Sequence, residues 1–145
     1  PYRGAQAFEE LRYKTDVYSK ENKRPIAFML TIGNLTMRKA RSQFSCNFFA
    51  IAGLSVIDNN GFDSVDEGVK ATKAAGADIV VICSSDDEYK SLVPEIAEKL
   101  DKEIVVVAGN PTCKAELEEK GITNFIHVKS NLLEELMAYQ SKLGI

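Results

Sequence analysis

The sequence predicts an α/β protein with a doubly wound, five-stranded parallel sheet, and three observations carry that prediction. From Pro25 onward, short apolar runs alternate with helical patterns, the signature of successive βα units. Three of the runs, "IAFMLTI", "DIVVIC" and "IVVVA", are apolar almost throughout, as strands covered by helices on both faces must be. The other two, "LSVID" and "NFIHV", mix polar residues into the pattern and suit the edges of a sheet.

The first element is helical. "GAQAFEELRYKTDVYSKENK" reads as an amphipathic helix with Phe8, Leu11 and Tyr18 on one side, followed by a polar linker. Residues 1–24 are therefore expected to be a connector ahead of a domain at 25–145. Pro1 is no natural initiator, so the chain is expected to be a piece of a longer one.

The first strand is placed at Ile26 to Ile32 and leads into a helix on which Met37, Ala40, Phe44, Phe48 and Ile51 recur at helical spacing. That stripe is expected to press on the sheet, leaving Arg38, Lys39 and Arg41 to solvent. The second strand, Leu54 to Asp58, precedes "SVDE" at Ser64 to Glu67, a capping box in which serine and glutamate satisfy exposed amides at a helix start. The third, Asp78 to Cys83, precedes a second such box, "SDDE" at Ser85 to Glu88. The fourth, Ile104 to Ala108, leads to Asn110 and Pro111, a favourable helix start, and the fifth is Asn124 to Val128.

Central strands one, three and four with edge strands two and five give the order 2-1-3-4-5, the flavodoxin-like (Rossmann-like) arrangement. Its ligand crevice lies at the carboxyl ends of strands one and three, which the stretch "TIGNLTMRKARSQF" would line.

Composition fits a single domain and excludes several functions. At 145 residues the chain can bury roughly two thirds of its unfolded surface. Hydrophobic residues are 45% and charged residues 27% of the chain, as in ordinary globular domains. The net charge of −3, with lysines and arginines scattered among acids, offers no basic stripe for nucleic acid. There is no apolar run long enough to span a membrane and no signal-peptide pattern. Cys46, Cys83 and Cys113 are odd in number and contain no C-x-x-C, which argues against a disulfide framework or zinc site and for a reducing, cytoplasmic setting.

Candidate chemistry is sparse. "TIGNLT" has the place of a flavin-phosphate loop at a helix start, but Leu35 and Met37 intrude where hydroxyls concentrate, and "SSDDEY" and "AGNP" bring no stacking aromatic in the expected form. A phosphorylation receiver would use Asp86 and Lys129, yet strand one ends in "TIGN" without the acidic pair that holds magnesium. His127, the single histidine, has no partner acid nearby in sequence and reads as a surface or hydrogen-bonded residue. Cys113 sits at a helix start as a small residue, and Cys46 and Cys83 read as core. No catalytic residue and no metal ligand is assigned.

Taken together, "RPIAFMLTIGNLTMRKARSQFSCNFFAIAGLSVIDNNGF", "GADIVVICSSDDEYKSLVPEIAEKL" and "EIVVVAGNP" resemble the cobalamin-binding domain of methylmalonyl-CoA mutase, and "RGAQAFEELR" resembles the segment that leads into it. The resemblance spans Arg24 to Ile145. It implies a D-x-H-x-x-G loop after strand one, whose histidine ligates cobalt and whose aspartate orients that histidine. Here the loop is "GNLTMRK", with Asn34 near the aspartate position and Thr36 or Met37 near the histidine. It also implies a serine-rich turn after strand three, kept as Ser84 and Ser85 but followed by Asp86 and Asp87, and a glycine pair after strand four, here Gly109 then Asn110.

The degenerate crevice positions are thus Gly33, Asn34, Thr36, Ser84, Ser85, Gly109 and Asn110. Fold and site must be weighed separately. Some mutases of this family are heterodimers whose small subunit binds no cobalamin. The resemblance therefore implies the carboxyl-terminal domain of such a subunit, holding no cofactor itself, with adenosylcobalamin in a large catalytic mutase subunit as its partner. The alternative is an accessory or carrier domain that still binds a corrinoid without the family histidine.

Overall fold

The computed structural model describes residues 2–33, 35–58, 61–100, 103–109, 113–122, 124–126 and 132–145. In chain order the elements are α1 (Tyr2–Glu21), β1 (Ile26–Thr31), α2 (Leu35–Ile51), β2 (Ser55–Ile57), α3 (Val65–Ala75), β3 (Ile79–Cys83), α4 (Asp86–Lys99), β4 (Ile104–Ala108), α5 (Lys114–Glu119), β5 (Phe125–Ile126) and α6 (Leu132–Leu143). All strand pairs are parallel and the order is β2-β1-β3-β4-β5, as the distribution of apolar strands predicts.

The two-residue period of the strands divides the core into two layers. Ala27 and Met29 of β1, Ile79, Val81 and Cys83 of β3, and Val106 and Ala108 of β4 face one side, where they meet Leu11 of α1, Phe48, Phe49 and Ala52 of α2, and Leu136 and Tyr139 of α6. Phe28 and Leu30 of β1, Val80 and Ile82 of β3, and Val107 of β4 face the other. There they meet Val65 and Val69 of α3, Tyr89, Val93 and Ile96 of α4, and Leu117 of α5. With both faces covered, β1 and β3 are buried at every position, which is why they lack polar alternation.

α1 is docked on this body. Gln140 Nε2 of α6 donates to the Leu11 carbonyl at 2.6 Å and to Thr15 Oγ1 at 3.1 Å, at a place where Leu11, Thr15 and Gln140 are all buried. Arg24, just past α1, pairs with Asp16 at 2.8 Å and donates to the Gly53 carbonyl at 2.5 Å. The side chain of Phe8 lies outside the described residues.

The Ser64 cap forms as expected. Its side chain accepts from the Glu67 amide, and the helix ends on Gly76 in the left-handed conformation at φ 68°. At Ser85 the capping box does not form, because the hydroxyl donates to Glu88 Oε1 at 2.7 Å instead of accepting from an amide. The Glu88 carboxylate is drawn toward Ser84, whose hydroxyl donates to the same oxygen at 3.1 Å. α5 begins at Lys114 with Cys113 at its N-cap, and Asn110 and Pro111 lie outside the described residues.

The α2 stripe holds in its second half and differs in its first. Phe48 is buried, and Phe44 and Ile51 pack against the core, whereas Ala40 is exposed and Met37 half-buried, and Ser42, Ser45 and Phe49 are buried as well. Extended backward at helical spacing, that row includes Arg38 and Arg41, which are half-buried rather than left in solvent. The first half of α2 passes over the carboxyl ends of the strands, where backbone carbonyls need donors, so polar side chains are favoured there over apolar ones.

Candidate functional site

The crevice expected at the carboxyl ends of β1, β3 and β4 is built from three turns. Gly33 follows β1 at φ 84°, and Gly109 follows β4 at φ 134°, conformations that favour glycine. Ser84 follows β3 and is fully buried, with Ser85 half-buried at the start of α4. Gly33 and Ser84 are brought together, since a Cβ on Gly33 would lie 2.5 Å from Ser84 Oγ. Thr36 sits exposed in the first turn of α2. Asn34 and Asn110 lie outside the described residues.

Side chains of this chain cover both glycines. The Glu88 carboxylate lies over Gly33, with Cδ 2.6 Å from where a Cβ would stand. The Arg41 guanidinium lies over Gly109, with Cζ 3.0 Å from the corresponding position. Arg41 Nη1 donates to the Ser84 carbonyl at 2.6 Å, and its Cζ stands 5.3 Å from the centre of the Tyr89 ring. Arg38 Nη1 donates to the Gly33 carbonyl at 3.2 Å.

Tyr89 ties the turns together from below. Its hydroxyl accepts from the Ser84 amide at 3.1 Å and donates to the Ala108 carbonyl at 2.5 Å, linking the ends of β3 and β4. The ring is fully buried, and burial pushes the phenol far above its ordinary range. Its neutral hydroxyl is a structural tie between the two strand ends.

Beside the crevice, between α2 and the end of β2, a cavity of about 350 Å³ is lined by Thr31, Arg38, Ser42, Cys46 and Asp58 among others. Ser42 Oγ donates to Asp58 Oδ1 at 2.5 Å. Burial, and then the Asp58 carboxylate, raise the Cys46 thiol, and burial raises Cys83 strongly, so neither is an activated nucleophile. Among the described residues no group of three histidine, cysteine or carboxylate side chains could hold a metal ion. His127, Lys129 and the side chain of Asp86 lie outside the described residues.

Sequence reasoning missed Arg38, Arg41, Glu88 and Tyr89. The signal available was spacing: Arg38 and Arg41 stand on the helical row that continues into Ser42, Ser45 and Phe49, and Glu88 with Tyr89 follows the serine turn directly.

No protein-family model matches the chain. The chain is 58% identical over 144 residues, 99% of its length, to the methylmalonyl-CoA mutase small subunit of Porphyromonas gingivalis. It is 27% identical over 98% of its length to probable methylmalonyl-CoA mutase small subunits of Mycobacterium bovis and Mycobacterium tuberculosis. The chain spans about a quarter of these relatives, 23% of the first and 24% of the others. Among solved structures, a cobalamin-binding protein from Desulfitobacterium hafniense DCB-2 superposes with a TM-score of 0.56 at 20% identity, covering 92% of this chain and 66% of that one. That likeness establishes a shared fold. No helix among the described residues is long and apolar enough to cross a membrane.

Proposed function

We propose that this chain, a homologue of methylmalonyl-CoA mutase small subunits along 99% of its length, is a degenerate cobalamin-binding domain with a structural role. Its setting is a cytoplasmic heterodimer that interconverts succinyl-CoA and methylmalonyl-CoA. In that assembly the large catalytic subunit holds adenosylcobalamin and performs the rearrangement, and residues 25–145 pack as a cofactor-free domain behind the connector at 1–24.

One observation carries the cofactor-free part of the proposal. The backbone at Gly33 and Gly109 is covered by Glu88 and Arg41, which stand where a bound group would approach the strand ends. On this reading the residues present do not fit a corrinoid. Thr36 and Met37, near the place of the family's cobalt ligand, offer a hydroxyl and a thioether in place of an imidazole. Gly33, Asn34, Thr36, Ser84, Ser85, Gly109 and Asn110 are then remnants of a crevice, with no catalytic or metal-binding duty.

The test is corrinoid stoichiometry. Full-length small subunit co-purified with its large subunit after loading with adenosylcobalamin should contain one corrinoid per heterodimer, lost entirely when the large subunit is omitted. A second corrinoid, retained by the small subunit alone, would establish instead an accessory or carrier domain. Failure of the two subunits to co-purify would remove the structural role.

A further inference from the structure

We propose that Arg41 and Glu88 are the two side chains that close the crevice, each acting as a plug over one glycine, and that their removal opens a slot able to admit the nucleotide tail of a corrinoid. The inference rests on the proposal above and deepens it by naming the residues that exclude the ligand.

The geometry separates these two from their neighbours. Arg41 reaches across from α2 to the Ser84 carbonyl at 2.6 Å and places its guanidinium over Gly109, so it bridges the turn after β3 and the turn after β4. Glu88 reaches back from the first turn of α4, takes hydrogen bonds from Ser84 at 3.1 Å and Ser85 at 2.7 Å, and lies over Gly33. One plug comes from each layer of helices, and the two converge on Ser84, which is fully buried beneath them.

The floor below has ties of its own. Gly33 and Gly109 stand at positive φ, and although Arg41 packs on the Tyr89 ring, the Tyr89 hydroxyl bonds the Ser84 amide and the Ala108 carbonyl directly, a link between the ends of β3 and β4 that passes through neither plug. The crevice floor is therefore prebuilt, and what fills it is long, flexible and charged. Charged groups in such a position are held by hydrogen bonds to the turns and not by apolar packing, so truncation leaves space that the core has no reason to refill.

The experiment compares the unaltered chain with the double variant Arg41→Ala, Glu88→Ala, each also carrying Ser84→Cys as a reporter. Far-ultraviolet circular dichroism and a thermal melt establish that both are folded. N-ethylmaleimide labelling is read by fragment sequencing of each peptide, which separates the reporter from the adjacent Cys83 as well as from Cys46 and Cys113. The reporter should label at least about tenfold faster in the double variant, because protection falls with the cover over the site. The variants without the reporter are then dialysed against dicyanocobalamin, whose nucleotide tail is free of cobalt; the double variant should retain it and the unaltered chain should not. Equal labelling rates, or no retention by a folded double variant, would overturn the inference while leaving the proposed function standing. Retention by the unaltered chain would overturn the proposed function itself.

Discussion

Tyr89→Phe removes one oxygen from the molecule and should cost it more than most core substitutions of similar size. The Tyr89 side chain is fully buried, its hydroxyl accepting from the Ser84 amide at 3.1 Å and donating to the Ala108 carbonyl at 2.5 Å. Loss of the hydroxyl removes two hydrogen bonds, each worth about 1 kcal/mol net, and strands the buried Ser84 amide at a cost of about 1–3 kcal/mol, so the expected total is about 3–5 kcal/mol. For a chain of this size that is a fall in Tm of roughly 6–20 °C. Urea unfolding at pH 7 followed by circular dichroism measures it directly. Tyr139→Phe is the internal control, because the Tyr139 hydroxyl is buried with no hydrogen-bond partner among the described residues. It should be neutral or slightly stabilising. A loss below about 0.5 kcal/mol for Tyr89→Phe, or equal losses for both variants, would refute the assignment of Tyr89 as a tie between strand ends.

Burial raises both phenols, and each neutral form is favoured in the folded state. Their contribution is therefore complete below the unfolded value of about 10 and is lost as pH rises above it, so urea midpoints should fall steeply in alkali and less steeply in either phenylalanine variant. Leu11→Ala should cost about 2–5 kcal/mol by the same assay, because Leu11 sits in the core although it lies on the first helix. A loss under 1 kcal/mol would show that helix to be only loosely attached. Ser64→Ala should cost about 1 kcal/mol through the lost cap on α3, whereas Ser85→Ala, whose hydroxyl bonds a carboxylate and no amide, should leave α4 capped as before.

The sheet was legible because its signal is repeated. Each central strand is a run of apolar residues bounded by turns, and β1, β3 and β4 fall within one residue of the boundaries that pattern gives. The shorter β2 and β5 were recognisable as edges from the polar residues mixed into them. What spacing could not reveal was the orientation of the first half of α2. Phe44, Phe48 and Ile51 pack on the core as their spacing predicts, yet Ala40 is exposed and the positions turned toward the strand ends carry Arg38, Arg41, Ser42 and Ser45. Hydrophobic periodicity assumes that a helix packs on side chains, and the first half of α2 packs on carbonyl groups at the strand ends.

The candidate site was half legible for the same reason. The turns at Gly33, Ser84 and Gly109 are where the strand order requires them, and the positive φ of both glycines explains their residue type. The plugs over them come from positions that sequence patterns assign elsewhere, Arg41 to solvent and Glu88 to a helix cap. A carboxylate three residues after a serine can close a capping box or fold into a crevice, and the choice depends on Ser84 and Gly33, which are brought near only by the fold.

The most direct test of a closed, cofactor-free crevice is titration of the unaltered chain with cobalamin, followed by its visible spectrum and by equilibrium dialysis. No spectral change and no retention above that of a protein-free control are predicted. Saturable binding at micromolar concentration with a shifted absorbance band would contradict the claim that Arg41 and Glu88 have replaced the ligand.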